Sequence, residues 1–358
     1  MNYSKRLKNL QNYVLEKNID LLILDDSISL IYLTGLHLSY GKLFITKEKT
    51  KLFVDGRYLQ IAKENSSLDV ELICEKSLLN FIVENKLKNI AFDSSKLSYC
   101  SYEKLNAFLE KIITKYDLDI KVIPLVNPLK EFRVIKDVDE ILLLKKAANL
   151  NWRGFEHVCL LLKQGITEKE IVFEYEMFVK KNGADKLSFD PIVAFGKNSA
   201  MPHHKTSTKK LELNDLVLMD IGVEMQNYHS DMTRVIFFGS PDPKLERIYS
   251  ITKKAHSAAL AQCKPGVKLK ELDLAARKVL KEEGCEKEFV HSLGHGVGLE
   301  IHEFPRIKFD TEDRDVILKP GMVITIEPGI YLPNIGGTRY EDTILITQSG
   351  YENFYSIN

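Results

Sequence analysis

Four carboxylates and one histidine in the C-terminal half of the chain, Asp220, Asp231, Glu327, Glu341 and His295, stand where a solvated charge has no place. Their stretches read LVLMDIG, HSDMTRVIFF, VITIEPGIY, GGTRYEDTILIT and SLGHGVGLEIHE. An ionised group on a strand of Val, Ile and Leu loses hydration worth on the order of several kcal/mol, so it must be paired, neutralised or bound to a metal. The pattern recurs at all five positions without a matching Lys or Arg for each, which favours a metal. Any one of these residues alone reads more readily as solvated or salt-bridged. The metal reading rests on the set.

Composition limits the remaining choices. A chain of 358 residues is long enough for two domains, each with its own core. Lys+Arg and Asp+Glu both total 50, the net charge is zero and no long basic run occurs, so nucleic acid is not an expected partner. The five cysteines are odd in number and form no C-x-x-C pair, which fits a reducing compartment. The start, MNYSKRLKNLQNYVLEKN, reads as an amphipathic helix rather than a signal peptide, and no apolar run approaches the ~20 residues of a membrane span. A soluble cytoplasmic protein with no membrane partner is expected.

Residues 1–125 alternate helical and strand-like segments, which argues for an α/β layer structure. Lys5 to Lys17 has helical spacing, and Ile19 to Leu24 suits a buried strand. KLFITK and KLFVDG are strands expected around a turn at Gly41, and IAKEN, SLLNFIVENK and SYEKLNAFLEKIITKY are expected helices. The segment VIPLVNPLKEFRVIKDVDE, with Pro124 and Pro128, reads as the linker, bounded at residues 126–136 after a first domain of residues 1–125. A second domain, 137–358, then opens with a helix start at Asp137, with Glu140 three residues on. That helix is expected to reach about Gln164, before Gly165. Further helices are expected from Thr167 to Asn182-Gly183, from Pro243 to Lys264-Pro265-Gly266, and from about Lys270 to Gly284. Strands carrying the charged set lie between and after them.

If Gln226-Asn227 is a two-residue hairpin loop, Asp220 faces Thr233, and Asp231 is its diagonal neighbour on the same sheet face. Two carboxylates there repel unless a cation joins them. A loop one residue longer or shorter would separate them. Glu327 is halted by Pro328-Gly329 and Glu341 opens TILIT, so both belong at strand ends. His295 lies between Gly294 and Gly296, where missing side chains let the imidazole approach a metal. Four carboxylates and one histidine form a hard site that suits Mn²⁺, with Co²⁺, Fe²⁺ or Zn²⁺ as alternatives, better than it suits a thiolate zinc site. Four negative charges also match two divalent cations.

The stretches FDPIVAFGKNSAMPHH, LMDIGVEMQNYHSDMTR, HSLGHGVGLEIHE, TIEPGIY and GGTRYEDT resemble the metallopeptidases of the pita-bread fold, in the branch of aminopeptidase P and prolidase. YLTG (Tyr32 to Gly35) and DGRY (Asp55 to Tyr58) resemble that branch's creatinase-type N-terminal domain. The resemblance implies an α+β protein. In it a creatinase-like α/β domain precedes a pita-bread domain with a curved, mostly antiparallel sheet flanked by helices.

It also implies roles. Asp220 would hold one metal, His295 with Glu327 the other, and Asp231 and Glu341 would bridge them. His203 and His302 would contact the substrate and stabilise charge at the scissile carbonyl, while Glu327 would shuttle a proton. The adjacent His204 competes with His203 for its assignment. Arg339 would touch substrate or pair with a nearby acid, and Tyr228 and Arg234 would brace the site. Thr206 departs from the family, where many relatives carry proline. The implied reaction is cleavage of the Xaa-Pro bond, whose nitrogen bears no hydrogen and whose φ is fixed. Xaa-Pro aminopeptidase activity is the first expectation and Xaa-Pro dipeptidase the second. A non-peptidase binding protein on this fold should have replaced ligands, and a methionine aminopeptidase should lack both Arg339 and the N-terminal domain. A homodimer is implied, with the N-terminal domain helping to close a neighbouring active site.

Overall fold

The computed structural model describes residues 1–356. The chain divides into two compact units, Met1–Phe132 and a second from Arg133 onward.

The first unit contains α1 (Tyr3–Glu16), β1 (Leu21–Leu24), α2 (Ser27–Thr34), β2 (Gly41–Ile45), β3 (Thr50–Val54) and α3 (Leu59–Asn65). It continues with β4 (Asp69–Leu72), α4 (Glu75–Glu84), β5 (Asn89–Asp93), α5 (Tyr99–Tyr116) and β6 (Lys121–Leu125), and α6 (Lys130–Arg133) straddles the division. Its six strands form one mixed sheet in the order β4-β3-β2-β1-β5-β6. Leu21, Ile23, Phe44 and Phe53 face a core shared with Phe81, Ile82, Leu109 and Ile112 of α4 and α5. Leu22 and Leu24 alternate to the other face and are equally buried, so LLIL is a continuous apolar run rather than an alternating one.

Several local elements differ from those expected. The β2–β3 turn lies at Thr46–Lys49, where Thr46 N donates to Lys49 O at 2.8 Å, whereas Gly41 begins β2 opposite Val54. VIPL, expected to begin the linker, forms most of β6, an edge strand where Pro124 is tolerated. Helix α2 lies outside the expected elements; Asp26 caps it through Ser29 N and Gly35 closes it at φ +75°.

The second unit begins with α7 (Val138–Cys159), α8 (Glu168–Lys181), β7 (Lys186–Leu187), β8 (Ile192–Phe195), β9 (Leu216–Ile221) and β10 (Val223–Met225). Next come β11 (Tyr228–His229), β12 (Met232–Phe237), α9 (Pro243–Leu260), α10 (Leu269–Glu282), β13 (Gly294–Gly296) and β14 (Glu303–Ile307). The last strands are β15 (Val323–Ile326), β16 (Gly329–Leu332), β17 (Gly336–Arg339), β18 (Asp342–Ile346) and β19 (Tyr351–Asn353). The strands form antiparallel ladders in the orders β11-β10-β7, β12-β9-β8, β14-β13-β15-β18-β19 and β16-β17. The β8-β9-β12 ladder separates two cores. Val217, Met219 and Ile221 face α7 and α8, and Leu216, Leu218 and Val235 face α9 and α10.

Capping boxes open α7 at Asp137/Glu140 and α8 at Thr167/Glu170, as expected. Two helices stop early because the following residues pair elsewhere. α7 ends at Cys159, and Gly165 N donates to Leu211 O at 2.8 Å. α9 ends at Leu260, and Gly266 N donates to Leu318 O at 2.9 Å. Tertiary pairing overrides helix propensity in both places.

Candidate metal centre

The hairpin register that the site requires is present. Gln226 (φ +48°) and Asn227 (φ +73°) form the two-residue turn, with both φ values positive as a type I′ turn demands. Asp220 consequently pairs with Thr233 across β9 and β12. Asp231 immediately precedes β12, and its carbonyl accepts from Thr343 Oγ1 at 2.9 Å.

Glu327 follows β15, and its N–H donates to Leu293 O at 2.8 Å. Glu341 precedes β18, and its N–H donates to Thr233 O at 3.3 Å. These backbone bonds fix both acids at strand ends. His295 is the centre of β13, between β14 and β15. The reason for its flanking glycines differs from that expected. A Cβ at Gly294 would lie 2.0 Å from Thr325 O, and one at Gly296 would lie 2.4 Å from Phe304 O. The glycines admit neighbouring strands; no clearance around the imidazole is needed to account for them.

The side chains converge. One donor atom each from Asp231, His295 and Glu341 lies within 4.8 Å of the other two. His295 Nε2 is 3.4 Å from Glu327 Oε1 and 3.6 Å from Asp231 Oδ2. The other ring nitrogen, Nδ1, lies 3.1 Å from Gly296 O, an acceptor, so Nδ1 carries the proton and Nε2 presents a lone pair. Burial, then the neighbouring His302, pushes the His295 pKa down to about 3, which keeps the ring neutral. Three lone-pair groups therefore face one another. Asp220 Oδ1 and Glu341 Oε1 are also buried without a hydrogen-bond partner. Such an arrangement is costly alone and is satisfied by cations.

The acids respond accordingly. Burial, followed by repulsion from Glu341, Asp220 and Glu327, raises Asp231 well above the usual carboxylate range. Burial and Glu341 raise Glu327 in the same way, and burial and Asp220 push Glu341 up to about 8. The donor set fits a site for hard divalent cations, with Asp220, Asp231, His295, Glu327 and Glu341 as the residues that would hold them.

Arg339 takes the ion-pair role. Nη2 donates to Asp220 Oδ2 at 2.5 Å, Nε to Thr233 Oγ1 at 3.0 Å and Nη1 to Tyr331 Oη at 2.7 Å. Thr233 in turn donates to Glu341 Oε2 at 2.7 Å, so one guanidinium orients two acids of the cluster. Thr233 is placed by the hairpin register opposite Asp220, whereas no local signal marks Tyr331 as a partner of Arg339. Arg234 donates to Glu341 O at 2.5 Å and to Asp342 Oδ1 at 2.5 Å, and Tyr228 Oη donates to Glu140 Oε1 at 3.0 Å. Arg234 thus holds the backbone of Glu341, while Tyr228 ties β11 to α7.

His302 stands edge-on to His295, with ring centroids 4.3 Å apart. Of the doubled histidines, His203 is exposed and close enough to His302 to influence it, while His204 is buried and bonds Glu168 Oε2 at 2.9 Å. Thr206 donates to Pro191 O at 2.8 Å and accepts from Val193 N at 3.1 Å, two bonds no proline could make in its place. Behind His302, Glu303 is buried between Arg133 and Lys136, whose Nζ is 2.6 Å away. Those two cations lie in the segment read as linker, and no local signal marks them as buried.

Residues 143–348 match the model of metallopeptidase family M24, and residues 6–135 match the creatinase/prolidase N-terminal domain. The chain is 38% identical to an Xaa-Pro dipeptidase of Pyrococcus furiosus, covering 97% of this chain and 96% of that protein. Among solved structures, an Xaa-Pro dipeptidase from Bacillus anthracis is 34% identical, with a TM-score of 0.91 over 100% of this chain and 98% of that one. An X-Pro aminopeptidase from Thermotoga maritima is 32% identical, with a TM-score of 0.86 over 95% of this chain and 96% of that one.

Proposed function

This chain belongs to metallopeptidase family M24, with a creatinase/prolidase N-terminal domain, and on that premise we propose that it is an Xaa-Pro dipeptidase. The proposal reverses the order expected from sequence, which put the aminopeptidase first. The observation that carries it is the near-full-length likeness to proteins named Xaa-Pro dipeptidase.

In this reading Asp220 would hold one cation, His295 with Glu327 the other, and Asp231 and Glu341 would be shared between them. Mn²⁺ is the proposed ion, since oxygen donors dominate. When bound, two such cations polarise the scissile carbonyl and lower the pKa of water. Glu327, anchored at the end of β15, takes a proton from the water that attacks the carbonyl carbon and returns it to the prolyl nitrogen as the C–N bond breaks. His203 and His302 donate hydrogen bonds to the substrate near the scissile bond. Arg339 keeps Asp220 and Thr233 in place. A homodimer and a cytoplasmic location belong to the same proposal. All five cysteines are free, which supports a reducing compartment, and no helix among the described residues is long and apolar enough to cross a membrane.

The test is release of alanine from Ala-Pro and from Ala-Pro-Gly-Gly by metal-stripped protein resupplied with Mn²⁺, Co²⁺ or Zn²⁺. Preferential cleavage of Ala-Pro is expected. Preference for the tetrapeptide would restore the aminopeptidase reading, and cleavage of neither would sink both.

A further inference from the structure

Glu168, the first residue of α8, is fully buried, and its carboxylate collects five hydrogen bonds from the segment 195–207 that carries His203. Oε1 accepts from Phe195 N at 2.9 Å and Asn198 Nδ2 at 2.8 Å. Oε2 accepts from Ser207 N at 2.8 Å, Ser207 Oγ at 2.6 Å and His204 Nε2 at 2.9 Å. Burial alone would raise this acid's pKa, but Ser207, His204, Phe195 and Asn198 outweigh it and hold the group below its ordinary value. Only an ionised carboxylate can accept from all five donors, because a glutamine would turn an NH₂ toward one group of them.

The clamp grips both ends of the segment and its middle. A second anchor acts from the opposite side. Ser199 Oγ donates to Gly196 O at 2.6 Å and accepts from Gly337 N at 2.9 Å, on the strand that ends in Arg339. A Cβ at Gly337 would meet Ser199 O at 2.4 Å, so the segment lies directly against β17. With His204 turned inward to Glu168, the next residue back, His203, is turned out.

We infer that Glu168 is a positioning residue for the reaction, acting through His204 and the 195–207 segment to set where His203 meets the substrate. The inference rests on the proposed role of His203. It accounts for the doubled histidine: one ring is the handle and the other the tool.

The experiment is a double-mutant cycle on the Mn²⁺-loaded full chain with Ala-Pro, using wild type, Glu168→Gln, His203→Ala and the double variant. Thermal midpoint and bound metal are measured on each. Glu168→Gln is expected to lower kcat/KM by ~10–100-fold, the loss typical of a displaced catalytic contact. It should divide that loss between kcat and KM as His203→Ala does, keep its metal, and cause no further loss in the His203→Ala background. Losses that multiply in the double variant, or wild-type kcat/KM in Glu168→Gln, would overturn the inference. Wild-type kcat/KM in His203→Ala would instead remove the substrate contact beneath it, and an inactive wild type would fail the dipeptidase reading itself. Should Glu168→Gln not fold, Ser207→Ala and Asn198→Ala each remove donors from one carboxylate oxygen, and the same cycle applies.

Discussion

Replacing Arg234 by methionine tests the framework beneath the acids. Its guanidinium is buried 4.4 Å from the centre of the Tyr340 ring and donates to Thr233 O at 2.9 Å, Glu341 O at 2.5 Å and Asp342 Oδ1 at 2.5 Å. Methionine fills much of the volume but leaves Asp342, 3% exposed, with Asn353 Nδ2 at 2.7 Å and His256 at 3.3 Å as its side-chain partners among the described residues. His256 is a poor replacement cation, because burial pushes its pKa down to about 4. Breaking a buried pair in this way costs about 3–5 kcal/mol. Urea unfolding followed by fluorescence of Trp152, the chain's single tryptophan, reads this unit, since the Arg234 guanidinium lies 5.6 Å from that ring. The expected loss is about 3–5 kcal/mol for Arg234→Met, with at least ~2 kcal/mol recovered in Arg234→Met/Asp342→Leu, because the stranded charge is the larger part of the cost. A loss below ~1 kcal/mol, or a double variant no more stable than the single, would refute the reasoning.

Gly294→Ala places a methyl 2.0 Å from Thr325 O and is expected to cost at least ~1–3 kcal/mol and to reduce Ala-Pro cleavage, whereas Gly350→Ala, with nothing within 4 Å, should change neither; equal effects at both sites would contradict the close-approach explanation. His256 takes up a proton near pH 6.5 when unfolded and only near 4 when folded, so its contribution is complete above 6.5 and is lost as pH falls toward 4. Between pH 7 and 5 wild type should lose about 2 kcal/mol more than His256→Asn; denaturation at both pH values checks this, and equal losses would show that the folded ring titrates normally.

Elements of the fold and site are legible in the sequence where the determining physics is local. Gln226-Asn227 specified the turn, the turn specified the register, and the register put Asp220 opposite Thr233. Capping boxes at Asp137 and Thr167 were equally legible. What escaped was decided by distant partners. Choosing between His203 and His204 requires knowing that Glu168, 36 residues earlier, is buried beside the loop. Lys136 looked like linker because its partner Glu303 is 167 residues away. The ends of α7 and α9 were misjudged for the same reason, since pairing with Leu211 and Leu318 stops each helix before its glycine.

The most direct test of the central claim is metal stoichiometry. Protein stripped with chelator, reloaded with Mn²⁺ and freed of unbound ion should retain two ions per chain, and Asp231→Asn, which alters a shared ligand, one or none. Wild type that retains no metal, or Asp231→Asn that retains both ions, would contradict a paired-cation site built on these five residues.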